Sequence, residues 1–324
     1  MEEPELGRSG IRVSRVVLGC GNFGGIGSAP AFFGQGESEE EAFAIMDAAW
    51  ELGITAFDTA DAYGGGRSET AIGNWLRSKG PDVRERLVVT TKTFNPMHEG
   101  ADRGLSRARI LRQADTSLDR LGLERVPLYM AHDWDPATPI EETLRAFDDL
   151  VRAGKVGAVG ASNVTGEQLA GALEISELEG LVRFEWTQNA YSLLERGADD
   201  DVLRVCREHG LGFAPFGPLS GGWLTGKYRR DTEFPRGSRM ATRPEPYLHL
   251  VGDELFDGLD ALSAAAKERD VSMAGLALAW VLSSPGVTAA VVGPRSPAHL
   301  EPVREALSVD LDQAERDSLA ALFS

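Results

Sequence analysis

The chain has 324 residues, with 33 Lys plus Arg against 50 Asp plus Glu, so its formal charge is −17. A balance this acidic excludes a nucleic-acid binder as the default reading, and 42% hydrophobic with 26% charged residues excludes a disordered or low-complexity chain. Two cysteines, Cys20 and Cys206, are too few for a disulfide framework. The acidic start has no basic segment leading into an apolar run, and no window reaches the roughly 18 apolar residues of a membrane span, so a soluble, cytoplasmic protein is expected.

In chain order, LGRSGIRVSRVV (6–17) reads as a hairpin placed before the first barrel strand, where it can plug a barrel floor. Strands are then predicted at VVLG (16–19), ITAF (54–57), LVVTT (87–91), LYMA (128–131), VGAVGA (156–161), FEWTQ (184–188), LGFAPF (211–216) and AAVVG (289–293). Between them run helical patterns. Residues 38–53 open on Ser38 as a cap with Glu41 three positions on, and residues 142–155 close on Gly154. Residues 227–254 are Pro- and Arg-rich without periodicity, which is the pattern of a lid or binding segment. Helices over 253–269 and 272–284 precede the last strand. Eight strands alternating with helices, with no linker composition anywhere, predict a single α/β domain over 1–324: a (β/α)8 TIM barrel with an N-terminal β-hairpin and extra C-terminal helices.

Gly19, Gly21 and Gly24 spell G-x-G-x-x-G directly after a strand, the spacing of a Rossmann dinucleotide fingerprint. That fingerprint needs a helix opening at its glycines, and here the chain continues GGIGSAPAFFGQGE, a loop sequence. A Rossmann domain is therefore rejected. The glycines serve either a tight strand exit or close approach of backbone to a ligand at the barrel mouth.

Chemistry in a parallel barrel collects where the strands end. Asp58 follows ITAF, Lys92 follows LVVTT and His132 follows LYMA, with Tyr63 five residues beyond Asp58. This set suits reduction of a carbonyl, in which a proton must reach the oxygen as negative charge builds there. Tyr63 is the natural donor, Lys92 is expected to lower its pKa, Asp58 to keep Lys92 charged, and neutral His132 to orient the substrate oxygen.

The segments FDTADAYGGGRSETAIGNWL, TTK, LYMAHDWDP, GKVGAVGASN and PFGPLSGGWLTGKY together resemble the aldo-keto reductase superfamily over nearly the whole chain. The resemblance implies a barrel that uses NADPH or NADH without a Rossmann domain, with Asp58, Tyr63, Lys92 and His132 as catalytic tetrad. It further implies that Ser162, Asn163 and Gln188 hold the nicotinamide carboxamide and that Phe216 stacks on the ring. Leu219, Gly222 and Lys227 would pass under the pyrophosphate. The segment from Gly293 would bind the adenosine phosphate, with Arg295 and Ser296 on a 2′-phosphate, which favours NADPH. His299 and Val303 stand where the family commonly has Gln and Asn, and Gly217 replaces the usual Ser or Thr.

The substrate is expected to be a small carbonyl compound, selected by loops 22–36, 94–104 and 228–252. Phe23, Phe32, Phe33, Phe94, Met97 and Trp134 are candidates to line an apolar pocket for an aromatic or bulky carbonyl. A different reading, also drawn from the resemblance, is a nucleotide-sensing regulatory subunit similar to potassium-channel β subunits. A metal-dependent hydrolase built on His132, Asp133 and Asp135 is disfavoured, because the five histidines are not paired as ligands.

Overall fold

Short apolar runs bounded by glycines and turns become strands here because each is buried on both faces, by side chains inside the barrel and by helices outside it. The computed structural model describes residues 1–323. Its strands are β1 (Val16–Gly19), β2 (Ala56–Asp58), β3 (Val88–Thr93), β4 (Val126–Ala131), β5 (Val156–Ser162), β6 (Phe184–Gln188), β7 (Gly212–Phe213) and β8 (Ala290–Val292). All pair in parallel in the order β7-β6-β5-β4-β3-β2-β1-β8. Closure between the outer two comes from the Thr288 N–H donating to Phe213 O at 2.8 Å, the Val291 N–H donating to Pro215 O at 2.8 Å, and a parallel bridge between Phe216 and Val291. The result is the expected (β/α)8 barrel.

β7 is shorter than the predicted 211–216. Pro215 has no N–H to give to the ladder, so regular pairing stops after Phe213 and resumes only as single bridges at Phe216. β2 likewise starts two residues late, since the N–H groups of Ile54 and Thr55 are taken by Ala49 O and Ser14 Oγ. The predicted helices are present at Glu39–Glu51, Ile140–Arg152, Asp253–Glu268 and Met273–Leu282, the first with a complete Ser38/Glu41 capping box. Further short helices at Glu301–Ala306 and Gln313–Ala320 follow β8.

The hairpin lies a few residues upstream of its predicted span. Its arms pair through the Leu6 N–H to Ile11 O at 2.9 Å, the Val13 N–H to Pro4 O at 3.0 Å and the Arg15 N–H to Glu2 O at 3.0 Å, and the second arm runs straight into β1. Leu6 and Val13 are buried with Val17, Leu128, Met130, Trp186 and Val291, the side chains that fill the barrel, so the hairpin does plug the floor. Gly160 in β5 is required by the same interior: a Cβ there would overlap the Trp186 indole.

The segment after residue 227 is ordered. Ser238 caps a short helix, Arg239–Thr242, and the segment is tied down by the Met240 N–H to Tyr228 Oη at 3.2 Å, Arg239 Nη2 to Asn22 Oδ1 at 3.1 Å and Arg243 Nη1 to Ile26 O at 3.3 Å. It thus reaches from β7 across to the loop after β1. That loop runs from Cys20 to Ser38 before the first long helix begins, so Gly19, Gly21 and Gly24 open no helix and the Rossmann reading stays excluded. Among the described residues no helix is long and apolar enough to cross a membrane.

Candidate active site

Parallel pairing puts every strand's C-terminus at one end, and the polar residues singled out there converge. Asp58 ends β2, Lys92 is next to last in β3, and His132 follows β4. Tyr63 opens a short 3-10 turn, Tyr63–Gly65, held because its N–H bonds to Ala60 O at 3.2 Å. Lys92 Nζ stands 2.5 Å from Asp58 Oδ2, 3.0 Å from Thr59 O and 3.5 Å from Tyr63 Oη. The same phenol oxygen is 3.4 Å from His132 Nε2, with the two rings edge to face at 5.3 Å. Tyr63 Oη is therefore the shared vertex of the group. Gly21 lies against the Tyr63 ring, where a Cβ would sit 3.5 Å from Cε2, so one of the three glycines does bring backbone close to the site.

Electrostatics assigns the protons. Burial, then Lys92, pushes His132 well below the ordinary imidazole value, so it is neutral at physiological pH as expected. Burial opposes the Lys92 ammonium, but Asp58 and then Tyr63 outweigh it and leave its pKa raised. Tyr63 departs from expectation. Burial raises its pKa more than Lys92 lowers it, and Asp58 adds to the rise, because the ammonium at 3.5 Å is partly cancelled by the carboxylate it is paired with. The phenol consequently keeps its proton through the neutral range, the state an acid needs, while the nearby ammonium is placed to stabilise the phenolate left after transfer.

Gln188 ends β6 inside this group. Its Nε2 donates to Asp58 Oδ1 at 2.8 Å, a partnership that spacing 130 residues apart gave no means of seeing. Ser162 ends β5 buried, and Asn163 follows with φ 56° and its side-chain amide donating to His132 O at 2.8 Å. These three thus border the tetrad, although the Gln188 and Asn163 amides are partly committed to holding it. Phe216, half-buried, caps the inner core at the mouth. Leu219 is half-buried just before a turn, and Lys227 lays its side chain across Gly222, whose φ of 97° disfavours any side chain there.

The segment after β8 curls over the neighbouring rim. Gly293 is its first residue, Ser296 precedes a 3-10 turn, and His299 Nδ1 accepts from the Arg295 N–H at 3.2 Å, so His299 shapes this turn. Val303 is core rather than an adenine contact. Arg295 Nε pairs with Glu37 Oε1 at 2.5 Å and its Nη1 donates to Gly237 O at 2.6 Å. Partial burial and then Arg295 and Arg239 lower the Lys227 pKa, while burial and then Lys227 and Arg295 lower that of His299. Four cationic or basic groups, Lys227, Arg239, Arg295 and His299, are thus held together in a chain of net charge −17, opposed locally by Glu37. A polyphosphate fits such a cluster. Arg239 and Glu37 escaped notice in the sequence because only the folded loops bring them to the residues after β8.

Of the proposed pocket residues, Phe23 and Phe94 are core, packed under their loops. Phe32, Phe33, Met97 and Trp134 are half-buried, and Phe33 with the Met97 carbonyl flanks Gly65, next to the Tyr63 turn. Asp133 Oδ1 accepts from the Trp134 N–H, and Asp135 from the N–H groups of Leu105 and Ala137 and from Thr138 Oγ1, so both carboxylates serve local turns.

Fold and site together define a parallel barrel with a buried cluster of ionisable side chains at its C-terminal mouth. The chain belongs to the aldo/keto reductase family, whose model matches residues 15–323, and is an oxidoreductase that works with a nicotinamide cofactor. It is 38% identical over 322 residues, covering 97% of this chain and 93% of the relative, to the uncharacterized oxidoreductase YrpG of Bacillus subtilis (strain 168). It is 31% identical over 325 residues, 100% of this chain and 94% of the relative, to the aldo-keto reductase YhdN of the same organism. A protein of Schizosaccharomyces pombe (strain 972) named as a voltage-gated potassium channel subunit beta is 33% identical over 305 residues, 91% of this chain and 85% of that one.

Proposed function

We propose that this protein is a cytoplasmic, single-domain carbonyl reductase that uses NADPH to convert an aldehyde or ketone to an alcohol, with Tyr63 delivering the proton. The observation that carries this reading is the placement of Tyr63 Oη within 3.5 Å of both a buried ammonium and a neutral imidazole. NADPH, when bound, supplies a hydride to the carbonyl carbon. Tyr63 then donates its proton to the carbonyl oxygen, Lys92 stabilises the resulting phenolate, and His132 directs the oxygen toward Tyr63. Asp58, shared between Lys92 and Gln188, keeps the ammonium charged in a site with little water.

For the cofactor, Ser162, Asn163 and Gln188 are assigned to the carboxamide and Phe216 to the nicotinamide face. Leu219, Gly222 and Lys227 are assigned to the pyrophosphate, and Gly293, Arg295, Ser296 and His299 to the adenosine phosphate, joined by Arg239. The concentration of cations favours NADPH. Glu37, by claiming one edge of Arg295, leaves NADH as the weaker second cofactor. Phe33, Met97 and Trp134 would face an aromatic or bulky substrate.

The test is loss of NADPH absorbance with a reactive aromatic aldehyde, run beside NADH and the Tyr63→Phe variant. Removing a general acid costs about 10²–10⁴ in kcat, while the dissociation constant for NADPH should hold. Turnover by Tyr63→Phe equal to that of the parent would sink the assignment. Similarity to a relative named as a channel β subunit supports one second reading, a nucleotide-sensing regulatory subunit. Tight NADPH binding, negligible turnover on a panel of carbonyls and a stoichiometric protein partner would favour it.

A further inference from the structure

Strand alternation sends Lys92 into the barrel and its neighbours Thr91 and Thr93 outward. Behind the wall they meet a buried ionic group absent from the reaction described above. Thr93 Oγ1 donates to Asp61 Oδ2 at 2.8 Å, and Arg109 Nη1 donates to Thr93 Oγ1 at 2.6 Å while standing 3.5 Å from the same Asp61 oxygen. Beside them Thr91 Oγ1 and Arg120 Nη1 both donate to Glu69, at 2.6 and 3.0 Å. Asp61, Glu69 and Arg109 are all at least 99% buried. Two buried polar atoms here, Asp61 Oδ1 and Tyr129 Oη, have no partner among the described residues.

Asp61 lies two residues before Tyr63, and its N–H donates to Lys92 O at 2.9 Å. Its partner Thr93 accepts the His132 N–H at its carbonyl, 3.0 Å away. Arg109 in turn holds the carbonyls of Asn95 and Asp102, at 2.6 and 3.4 Å, both in the loop over 94–104. One carboxylate is therefore within one or two bonds of the backbone of three tetrad members and of a substrate loop.

We propose that Asp61 is a positioning residue, whose grip on Thr93 and Arg109 sets the placement of Tyr63 and of the 94–104 loop, so that turnover depends on whether Asp61 carries a proton. The inference rests on Tyr63 being the proton donor. Ionised Asp61 accepts a charge-assisted bond from Thr93 and forms an ion pair with Arg109, whereas its protonated form holds both more weakly, so the ionised form is the productive one. Glu69 beside it opposes its ionisation and Arg109 favours it; Arg120, paired with Glu69, and the Tyr129 phenol, held protonated by burial and Asp61, complete the surroundings, with Asp102 exposed beyond Arg109. Burial first, then Glu69, pushes Asp61 up to about 7 against Arg109, Thr93 and the Ala62 N–H. Tyr63 and Lys92 are both raised above their ordinary values and His132 is pushed well below its own, so none of these three changes charge near neutrality.

The experiment measures kcat against pH from about 5.5 to 8.5 for the parent and for Asp61→Asn with NADPH and 4-nitrobenzaldehyde, and reads the ratio of the two. The ratio cancels titration of the cofactor phosphate and the proton consumed by the reaction. Asparagine mimics the protonated acid, so the ratio should climb through one inflection near 7 to roughly tenfold, within the loss that a small misplacement of reacting groups causes. A flat ratio overturns the proposal even if Asp61→Asn is uniformly slower. Should that variant fold poorly, Thr93→Val removes a donor to the carboxylate and should move the inflection to higher pH; an unmoved inflection overturns it equally. No turnover by the parent would instead refute the carbonyl-reductase reading, and with it the premise.

Discussion

Replacing Lys92 with Met tests the centre of the site. The Lys92 side chain is 1% exposed and that of Asp58 4%, with nitrogen and oxygen 2.5 Å apart. Methionine fills much of the lysine's volume but removes the charge, and Asp58 is left with Gln188, at 2.8 Å, as its side-chain donor. Stripping one partner from a buried pair costs about 3–5 kcal/mol, because the remaining charge is desolvated without compensation, against a typical total stability of about 5–15 kcal/mol. Asp58→Asn with Lys92→Met leaves neither charge bare and should recover most of the loss, giving a coupling energy of about 3 kcal/mol in the double-mutant cycle. The chemical effect is separate. An ammonium 3.5 Å from a developing phenolate, at an effective dielectric constant of about 20, is worth about 5 kcal/mol, which corresponds to a loss of kcat of roughly 10³–10⁴-fold. Stability recovers in the double variant but kcat does not. Urea unfolding followed by circular dichroism on the four proteins, with kcat for each, separates the two effects. A Lys92→Met variant within about 1 kcal/mol of the parent, or strictly additive single changes, would refute the picture of a buried, mutually dependent pair.

Two further outcomes follow from other parts of the molecule. Arg239→Ala removes one charge from the cluster around Lys227 and Arg295 and should weaken NADPH about tenfold, in line with the loss of one charge-assisted bond, with a smaller effect on NADH and a flatter dependence on salt; fluorescence titration of both nucleotides checks this, and an unaltered NADPH constant would remove Arg239 from the phosphate site. Leu6→Ala, at the sealed end of the barrel, should cost about 2–5 kcal/mol of unfolding free energy while leaving kcat at 25 °C unchanged. A loss under about 1 kcal/mol would mean that the hairpin contributes little as a plug.

Period and punctuation in the sequence were enough to identify the barrel, because each strand is a short apolar run and each helix an amphipathic one, and parallel strands leave few ways to arrange eight such units. Strand ends then pointed to Asp58, Lys92 and His132, since the end of a buried strand is where a polar side chain first meets the mouth. Tyr63 was legible for the same reason, five residues past Asp58. What local pattern could not reach were the balances between residues far apart in the chain. Tyr63 was expected to have a lowered pKa from its distance to Lys92 alone, whereas burial decides the direction, and burial is a property of the whole surrounding shell. The Gln188 bond to Asp58, the Glu37 grip on Arg295 and the approach of Arg239 each join segments more than 100 residues apart or bring separate loops to one rim. Asp61 was present in the same DTADAY segment as the tetrad, but its two neighbours of consequence, Thr93 and Arg109, reach it only across β3 and from the helix outside. Alternation and capping are short-range and written in the order of residues; desolvation and charge pairing depend on which distant side chains share a small volume, and only the closed barrel decides that.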